Sequence, residues 1–441
     1  MDTPICDFVS AYRQSGALRL HMPGHKGEAV LGPEALDITE IEGADVLYHA
    51  TGIIRKSEQN AAALFGAGRT LYSAEGSSLC IRAMLYLALL YARETGRQPL
   101  ICAGRNAHKV FVTASALLGL DVQWLFGGTS LLSCTLLPED LEQTLQKTRP
   151  AAVYVTSPDY LGNRAELSAL AEVCHRHGAL LLVDNAHGAY LKFLPASLHP
   201  MDLGADLCCD SAHTTLPVLT GGAYLHVSAN APAPLAEQAE NALALFASTS
   251  PSYLILQSLD RCNAYLETVR EPLARMGRAV SRAKERLAAY GYGLAGDEPL
   301  KITVFPKRMG YTGDELARLL LEKEIVAEFS DPDFVVLMLT PQTGEAGLER
   351  LVRALLSIPP REPVRVRPPR LPRPDAAMSP REALLSSQER LPAQRALGRV
   401  LADASVTCPP AVPVVVCGER IDQDALRCFA YYGMESCWVV R

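Results

Sequence analysis

Between about residues 70 and 230, short apolar runs alternate with amphipathic stretches. Leu100 to Ala103, Ala151 to Val155 and Leu180 to Val183 read as strands, with Leu207-Cys-Cys209 and Ala223 to Val227 as weaker candidates. Pro138 to Lys147 and Glu166 to His177 read as helices between them. The first opens on a proline, which suits a first helical turn, and spaces Leu141 and Leu145 four apart. Near-continuous apolar strands separated by helices predict an α/β fold with a mostly parallel sheet covered on both faces. Ligands of such sheets bind at strand carboxyl ends, so the polar motifs that follow the apolar runs are where chemistry belongs.

The flanking regions have a different texture. Residues 1–50 form a polar, Gly- and His-rich arm, and 51–295 the major domain, whose end from Ser252 to Tyr290 has helical periodicity. Residues 296–358 read as a smaller α/β domain with strands Lys301 to Phe305 and Phe334 to Leu339. Residues 359–375 are dense in proline and arginine, which favours extended backbone and a solvated linker over a site for an anionic partner. Residues 376–441 form a C-terminal α+β domain, with Val412 to Val416 its clearest strand.

A net charge of −6 over 441 residues gives no general attraction to nucleic acid. The opening Met1-Asp-Thr-Pro-Ile-Cys-Asp7 lacks the pattern of a signal peptide, and no apolar run reaches the ~18 residues a bilayer needs. The expectation is a soluble cytoplasmic protein with no membrane or nucleic-acid partner. The twelve cysteines are scattered through apolar stretches without a C-x-x-C pair. They read as small buried hydrophobes in a reducing compartment, with no disulfide framework and no metal site.

Three places have chemical character. Asp184 ends the apolar run Leu180 to Val183 and stands before Asn185-Ala186-His187-Gly188. Such an acid can pair with a protonated pyridine nitrogen, cap a helix or bind a metal. Gly76-Ser77-Ser78 precedes the helical run Leu79 to Ala92, which makes either an anion site or a plain serine cap. His108, in Arg105-Asn-Ala-His-Lys109 after the strand ending at Ala103, could stack on a flat cofactor or serve structure alone.

Taken in order, His21-Met-Pro-Gly-His-Lys-Gly27, Gly76-Ser-Ser78, Arg105-Asn-Ala-His-Lys109, Thr156-Ser-Pro158, Asp184-Asn-Ala-His-Gly188, Ser211-Ala-His213 and Ser248-Thr-Ser-Pro-Ser-Tyr253 form a series. It resembles the pyridoxal-phosphate (PLP) dependent ornithine/lysine/arginine decarboxylases, of the aspartate-aminotransferase fold type (fold type I). The resemblance runs into the last unit through Met378-Ser-Pro-Arg-Glu-Ala383 and Ala396-Leu-Gly-Arg399. It implies a PLP-binding major domain, a homodimer or larger assembly, a small basic amino acid as substrate, and decarboxylation feeding polyamine synthesis. By the same resemblance Gly76, Ser77 and Ser78 hold the cofactor phosphate, His108 stacks on the ring, Asp184 pairs with its nitrogen and Ala186 packs on its other face. His187 then lies near the ring hydroxyl and substrate, Ser211 and His213 beside the phosphate, and Ser248, Thr249 and Ser250 near the phosphate of a neighbouring subunit. Asp37, Glu40, Glu42, Asp45 and Glu382 are candidates for holding a basic side chain.

The series breaks at one position. In the family a Ser-x-His is followed by the Schiff-base lysine, and here Ser211-Ala-His213 is followed by Thr214. A threonine hydroxyl cannot form an imine. Lys26 and Lys109 already sit in other family-like motifs and are poor substitutes. PLP would then be held only non-covalently, by phosphate contacts, stacking and Asp184. In the last unit Cys408-Pro-Pro-Ala411 and Val416-Cys-Gly-Glu419 also depart from the family's Tyr-Pro-Pro-Gly and Pro-Gly-Glu. Three readings follow: a decarboxylase scaffold that has lost turnover, a silent binding or regulatory protein, and another PLP enzyme such as an aminotransferase.

Overall fold

The computed structural model describes residues 1–127, 133–408 and 412–441, so residues 409–411 of the C-terminal motif lie outside the described residues. The predicted apolar runs form strands: β1 (Arg69–Ser73), β2 (Leu100–Gly104), β3 (Asp121–Leu125), β4 (Ala152–Thr156), β5 (Leu180–Asp184), β6 (Leu207–Asp210) and β7 (Ala223–Val227). Two of these, β1 and β3, are additions to the sequence reading. Asp121 and Gln123 keep their side chains in water on β3, an edge strand, so that run looks too polar. On β1, Thr70 is buried because its hydroxyl pairs with His226 Nδ1 at 2.8 Å.

Two compact units result, residues 1–98 with 167–271 and residues 99–166 with 272–441. In the first unit the strand order is β1-β7-β6-β5. β5 and β6 are parallel, and β7 runs antiparallel to both β6 and β1. Two reversals leave β1 pointing the same way as β5 and β6, so the carboxyl ends of these three strands share one edge. The helix Gly76–Thr95 leaves that edge after β1, and its buried Leu79, Met84 and Leu87 pack into the core. The predicted helical region from Ser252 divides into Tyr253–Leu266 and Arg270–Tyr290.

In the second unit β4, β2 and β3 pair in parallel in that order. Strands β8 (Gly293–Ala295), β9 (Lys301–Phe305), β10 (Phe329–Ser330) and β11 (Val335–Met338) form an antiparallel sheet of order β10-β11-β9-β8. Strands β12 (Gln388–Pro392), β13 (Ser405–Cys408), β14 (Val412–Val416) and β15 (Ser436–Val440) make two hairpin-like pairs, β12 with β15 and β13 with β14. Leu401, Ile421, Phe429 and Val439 close a separate core around them. The proline-rich stretch is extended and mostly exposed, yet it is pinned: Val364 N–H donates to Lys307 O at 2.9 Å, and Lys307 Nζ donates to Val366 O at 2.8 Å. Among the described residues no helix is long and apolar enough to cross a membrane.

One buried acid in the first unit makes a prediction about stability. Glu58, on the helix Ile53–Phe65, accepts from Tyr72 N–H at 2.9 Å with Oε1, while Oε2 is buried without a hydrogen-bond partner. Burial pushes its carboxyl up to about 8, only partly offset by the Tyr72 amide. The folded chain therefore holds a proton that the unfolded chain releases from about pH 4.5, and stability falls as pH rises from there to about 8. Glu58→Gln removes that penalty. Calorimetry is expected to show the variant's Tm rising relative to the native chain by on the order of 3 °C at pH 8, with little difference at pH 5. A gap that is the same at both pH values would contradict a protonated Glu58.

Candidate functional site

The shared strand edge of the first unit carries most of the residues singled out in the sequence. The helix Gly76–Thr95 starts after Glu75 without a side-chain cap, so beyond Gly76 its first-turn amides have no capping side chain. Gly76 has φ +70° and its amide donates to Gly221 O at 2.7 Å. A side chain there would be strained, and its Cβ would lie 4.0 Å from His213 Cε1. Ser211, just past the end of β6, donates its hydroxyl to Ser77 Oγ at 2.7 Å, which joins the helix start to the strand end. His213 lies 2.9 Å from Gly222 O through Nδ1; the carbonyl can only accept, so Nδ1 carries a proton and Nε2 points elsewhere. Ser77, Ser78 and His213 are half-buried. Amides at a long helix start, three hydroxyls and an imidazole make a donor-rich corner suited to an anion.

Asp184 closes β5 at 3% exposure, opposite Cys209 in the β5–β6 register. Its Oδ1 accepts from Ala186 N–H at 3.2 Å and from the Cys209 thiol at 3.6 Å. Ala186 and His187 follow, both half-buried. Because side chains alternate along a strand, Asn185 turns to the opposite face. There Asn185 Nδ2 donates to Asp210 Oδ1 at 2.6 Å. Asp210 Oδ2 also takes His199 Nε2 at 2.9 Å and His226 Nε2 at 3.2 Å, all three fully buried. Burial alone pushes the Asp210 carboxyl up, but His199 and His226 outweigh it and hold it below the ordinary carboxylate range. Burial holds His226 below its ordinary value, partly offset by Asp210.

That network was not read from the sequence. The available signal was an acid ending the apolar run Leu207-Cys-Cys-Asp210, as Asp184 ends its own, and a lone His226 inside an apolar strand. His199, Cys208 and Asp210 lie close enough to hold a metal ion. However, His199 Nδ1 accepts from Met201 N–H at 3.3 Å, which places the ring proton on Nε2 facing Asp210. The cluster is satisfied as a hydrogen-bond network.

Thr214 lies in a short helix, Ala212–Thr215, and is half-buried, with its amide 3.0 Å from Ser211 O. No amine takes its place within this unit. Of the unit's three lysines, Lys26 donates to His21 O at 2.6 Å, Lys56 to Asp2 at 2.9 Å and Lys192 to Asp202 at 2.6 Å. The donor set therefore fits the non-covalent half of PLP: the helix start with Ser77, Ser78 and Ser211 for phosphate, and Asp184 for a protonated ring nitrogen. It does not fit the covalent half.

The remaining candidates sit in other settings. Ser248, Thr249 and Ser250 are exposed, and Ser248 N–H donates to Glu75 Oε1 at 2.7 Å, beside the helix start of the same chain. His108 lies in the second unit, after β2. It caps the helix Lys109–Leu118, its Nδ1 accepting from Val110 N–H at 3.2 Å, and the proton is thereby left to Nε2. Among the acids considered for a basic side chain, Asp45 is occupied by amides of Thr51, Gly52 and Ile54, and Asp37 pairs with His25 at 3.2 Å. Glu382 closes a capping box with Ser379.

Known proteins match this arrangement along the chain. The family model for the Orn/Lys/Arg decarboxylase major domain matches residues 3–287, and that for the C-terminal domain of the same family matches residues 370–438. An arginine decarboxylase of Halalkalibacterium halodurans is 29% identical over 465 residues, covering 96% of this chain and 92% of its own. One of Bacillus subtilis is 28% identical, covering 96% and 92%. Lysine decarboxylase A from Pseudomonas aeruginosa superposes with a TM-score of 0.80 at 18% identity, over 97% of this chain and 75% of the other. That likeness establishes the fold: a fold-type-I, PLP-dependent transferase-like α/β architecture with a further C-terminal part.

Proposed function

The chain belongs to the Orn/Lys/Arg decarboxylase family, and on that premise we propose that it keeps the family's PLP and basic-amino-acid site while its own turnover is silenced at Thr214. The family is PLP-dependent. The observation that carries the proposal is the intact donor corner around a threonine. Ser77, Ser211, His213 and Asp184 stand in family-like motifs and lie along one strand edge, and Thr214 would put a hydroxyl where the chemistry needs a primary amine.

When bound, PLP supplies an electron sink for loss of carbon dioxide from an amino acid. The chain's own residues would hold and orient it. Ser77, Ser78, Ser211 and the first-turn amides would take the phosphate, with Gly76 and His213 at its margin, and the exposed Ser248 to Ser250 would approach the phosphate of a neighbouring subunit. Asp184, buried at the carboxyl end of β5, would pair with a protonated ring nitrogen. Ala186 would pack against one face of the ring, His108 would stack on the other, and His187 would lie near the ring hydroxyl and the substrate. Arginine, lysine or ornithine is the substrate class the relatives' names favour. A homodimer or larger assembly belongs to the same proposal. It is supported by Leu18, Leu20, Val30 and Leu31, which are 79–90% exposed in the N-terminal arm.

The test is a PLP titration of the native chain, followed by borohydride and mass spectrometry. Reversible binding with no mass increment is expected, and Asp184→Asn is expected to weaken that binding about tenfold or more, since a hydrogen bond to a charged group is at stake. A PLP-sized increment on any lysine of the native chain would refute the silenced reading. Binding that ignores Asp184→Asn would refute the placement of the ring.

A further inference from the structure

The helix that His108 caps is gripped at both ends by the C-terminal segment. Three residues before the cap, Arg105 forms a two-pronged ion pair with Glu419: Nη1 to Oε1 at 2.8 Å and Nη2 to Oε2 at 2.7 Å. The two side chains are 9% and 6% exposed. Arg105 Nη2 also donates to Val414 O at 3.2 Å, and Glu419 Oε2 also accepts from Val416 N–H at 2.9 Å. The guanidinium lies 5.1 Å from the Trp124 ring centre and 5.5 Å from that of Phe126. At the other end of the helix, Arg381 Nη1 donates to Ala116 O at 3.1 Å and Leu117 O at 2.7 Å. Those carbonyls belong to the last turn, where in-helix donors run out and a cation is favoured, although Ala116 O also accepts from the Gly119 amide at 3.3 Å. The two grips are tied together, since the Cys417 thiol donates to Pro380 O at 3.6 Å.

A buried Arg–carboxylate pair is a costly way to gain stability, because both ions must leave water. A fork-on-fork pair fixes direction as well as distance, however. Here the fixed object is the stem of the Arg105-Asn-Ala-His-Lys109 loop. Its backbone is ordered in short steps: Arg105 N–H to Leu125 O at 2.9 Å, Ala107 N–H to Gly104 O at 3.0 Å, Phe111 N–H to His108 O at 2.8 Å.

We infer that the C-terminal segment sets the position of His108, with Arg105, Glu419 and Arg381 as positioning residues for the PLP site. The inference rests on the proposed role of His108 toward PLP. It makes the C-terminal part of the chain a condition for holding the cofactor, although its residues take no part in the chemistry.

Hydrogen–deuterium exchange on the full chain tests the grip without any cofactor. Glu419→Gln is expected to speed exchange of amides 107–111 by about tenfold, while the helix Gly76–Thr95 keeps its protection. Unchanged protection at 107–111 overturns the grip. Should Glu419→Gln fail to fold, Arg105→Lys, which keeps the charge and loses the fork, takes its place. Equilibrium dialysis with PLP then tests the route, on the native chain and in a Thr214→Lys background. Glu419→Gln is expected to weaken PLP about tenfold, as a displaced cofactor contact would, and to cause no further loss once His108→Ala is present. An equal further loss in the His108→Ala background would mean that Glu419 acts by another path, and overturns the inference. If His108→Ala leaves PLP affinity unchanged, the role given to His108 falls and the inference with it. The exchange result shows independently whether the grip itself stands.

Discussion

Replacing Thr214 with lysine is expected to create a borohydride-reducible PLP adduct at residue 214 and to raise decarboxylation of arginine, lysine or ornithine by about 10²–10⁴-fold over the native chain, the range that one positioned acid–base group supplies. The surroundings are arranged for it. Position 214 directly follows Ser211-Ala-His213, whose side chains make ordered contacts with Ser77 and Gly222. It lies in a short helix whose backbone does not depend on the threonine side chain, because the fixed contact is Thr214 N–H to Ser211 O at 3.0 Å. The amine would add both the covalent anchor and a base that can move a proton at the reacting carbon. Mass mapping after borohydride is the measurement, with turnover followed as carbon dioxide release. A folded Thr214→Lys chain that binds PLP and yields no adduct would show that residue 214 does not occupy the lysine position. An adduct without turnover would show that the substrate pocket has also changed.

The fold was legible in the sequence where strands are buried on both faces and therefore uniformly apolar. β5 and β7 were readable almost residue for residue. Where one side of a strand faces water, as on β3, or where polar side chains are satisfied inside, as at Thr70 and Ser73 of β1, the apolar signal thins and the strand is lost. The candidate site residues stand out as motifs because most follow a strand or open a helix. Their partners do not. Nothing local shows that Arg105 meets Glu419, 314 positions later, or that Asn185 reaches Asp210 at the end of the neighbouring strand. His108 illustrates the same limit: a residue singled out for its ring also proves to be the cap of its own helix. Pairings of this kind depend on the tertiary path of the chain, which periodicity does not carry.

The buried Asp210 explains why the strand ends hold their places, and its loss is expected to be costly. Asp210→Asn puts an amide where four donors converge: Asn185 Nδ2, the Cys208 thiol, His199 Nε2 and His226 Nε2. One carbonyl can still accept, but the amide's own N–H groups then face donors, with no water at 0% exposure to relieve them. Losing charge-assisted hydrogen bonds inside the core costs roughly 3 kcal/mol or more. Denaturation followed by tryptophan fluorescence at several pH values measures it. Because His199 and His226 hold the Asp210 carboxyl below its ordinary value, it stays ionised in the folded chain well below pH 5. The deficit of the variant is therefore expected to be flat from pH 8 to pH 5 and to shrink only under stronger acid. The native chain should still lose stability as pH drops through the ordinary histidine range near 6.5, since burial keeps His226 neutral while the unfolded chain takes up the proton. The variant should share that slope, as His226 remains buried in it. PLP affinity gives a second readout. Asn185 is the neighbour of Asp184, so freeing its side chain is expected to loosen Asp184 to His187 and weaken PLP binding along with stability. A variant that unfolds at the native midpoint would remove the network from any part in holding the site.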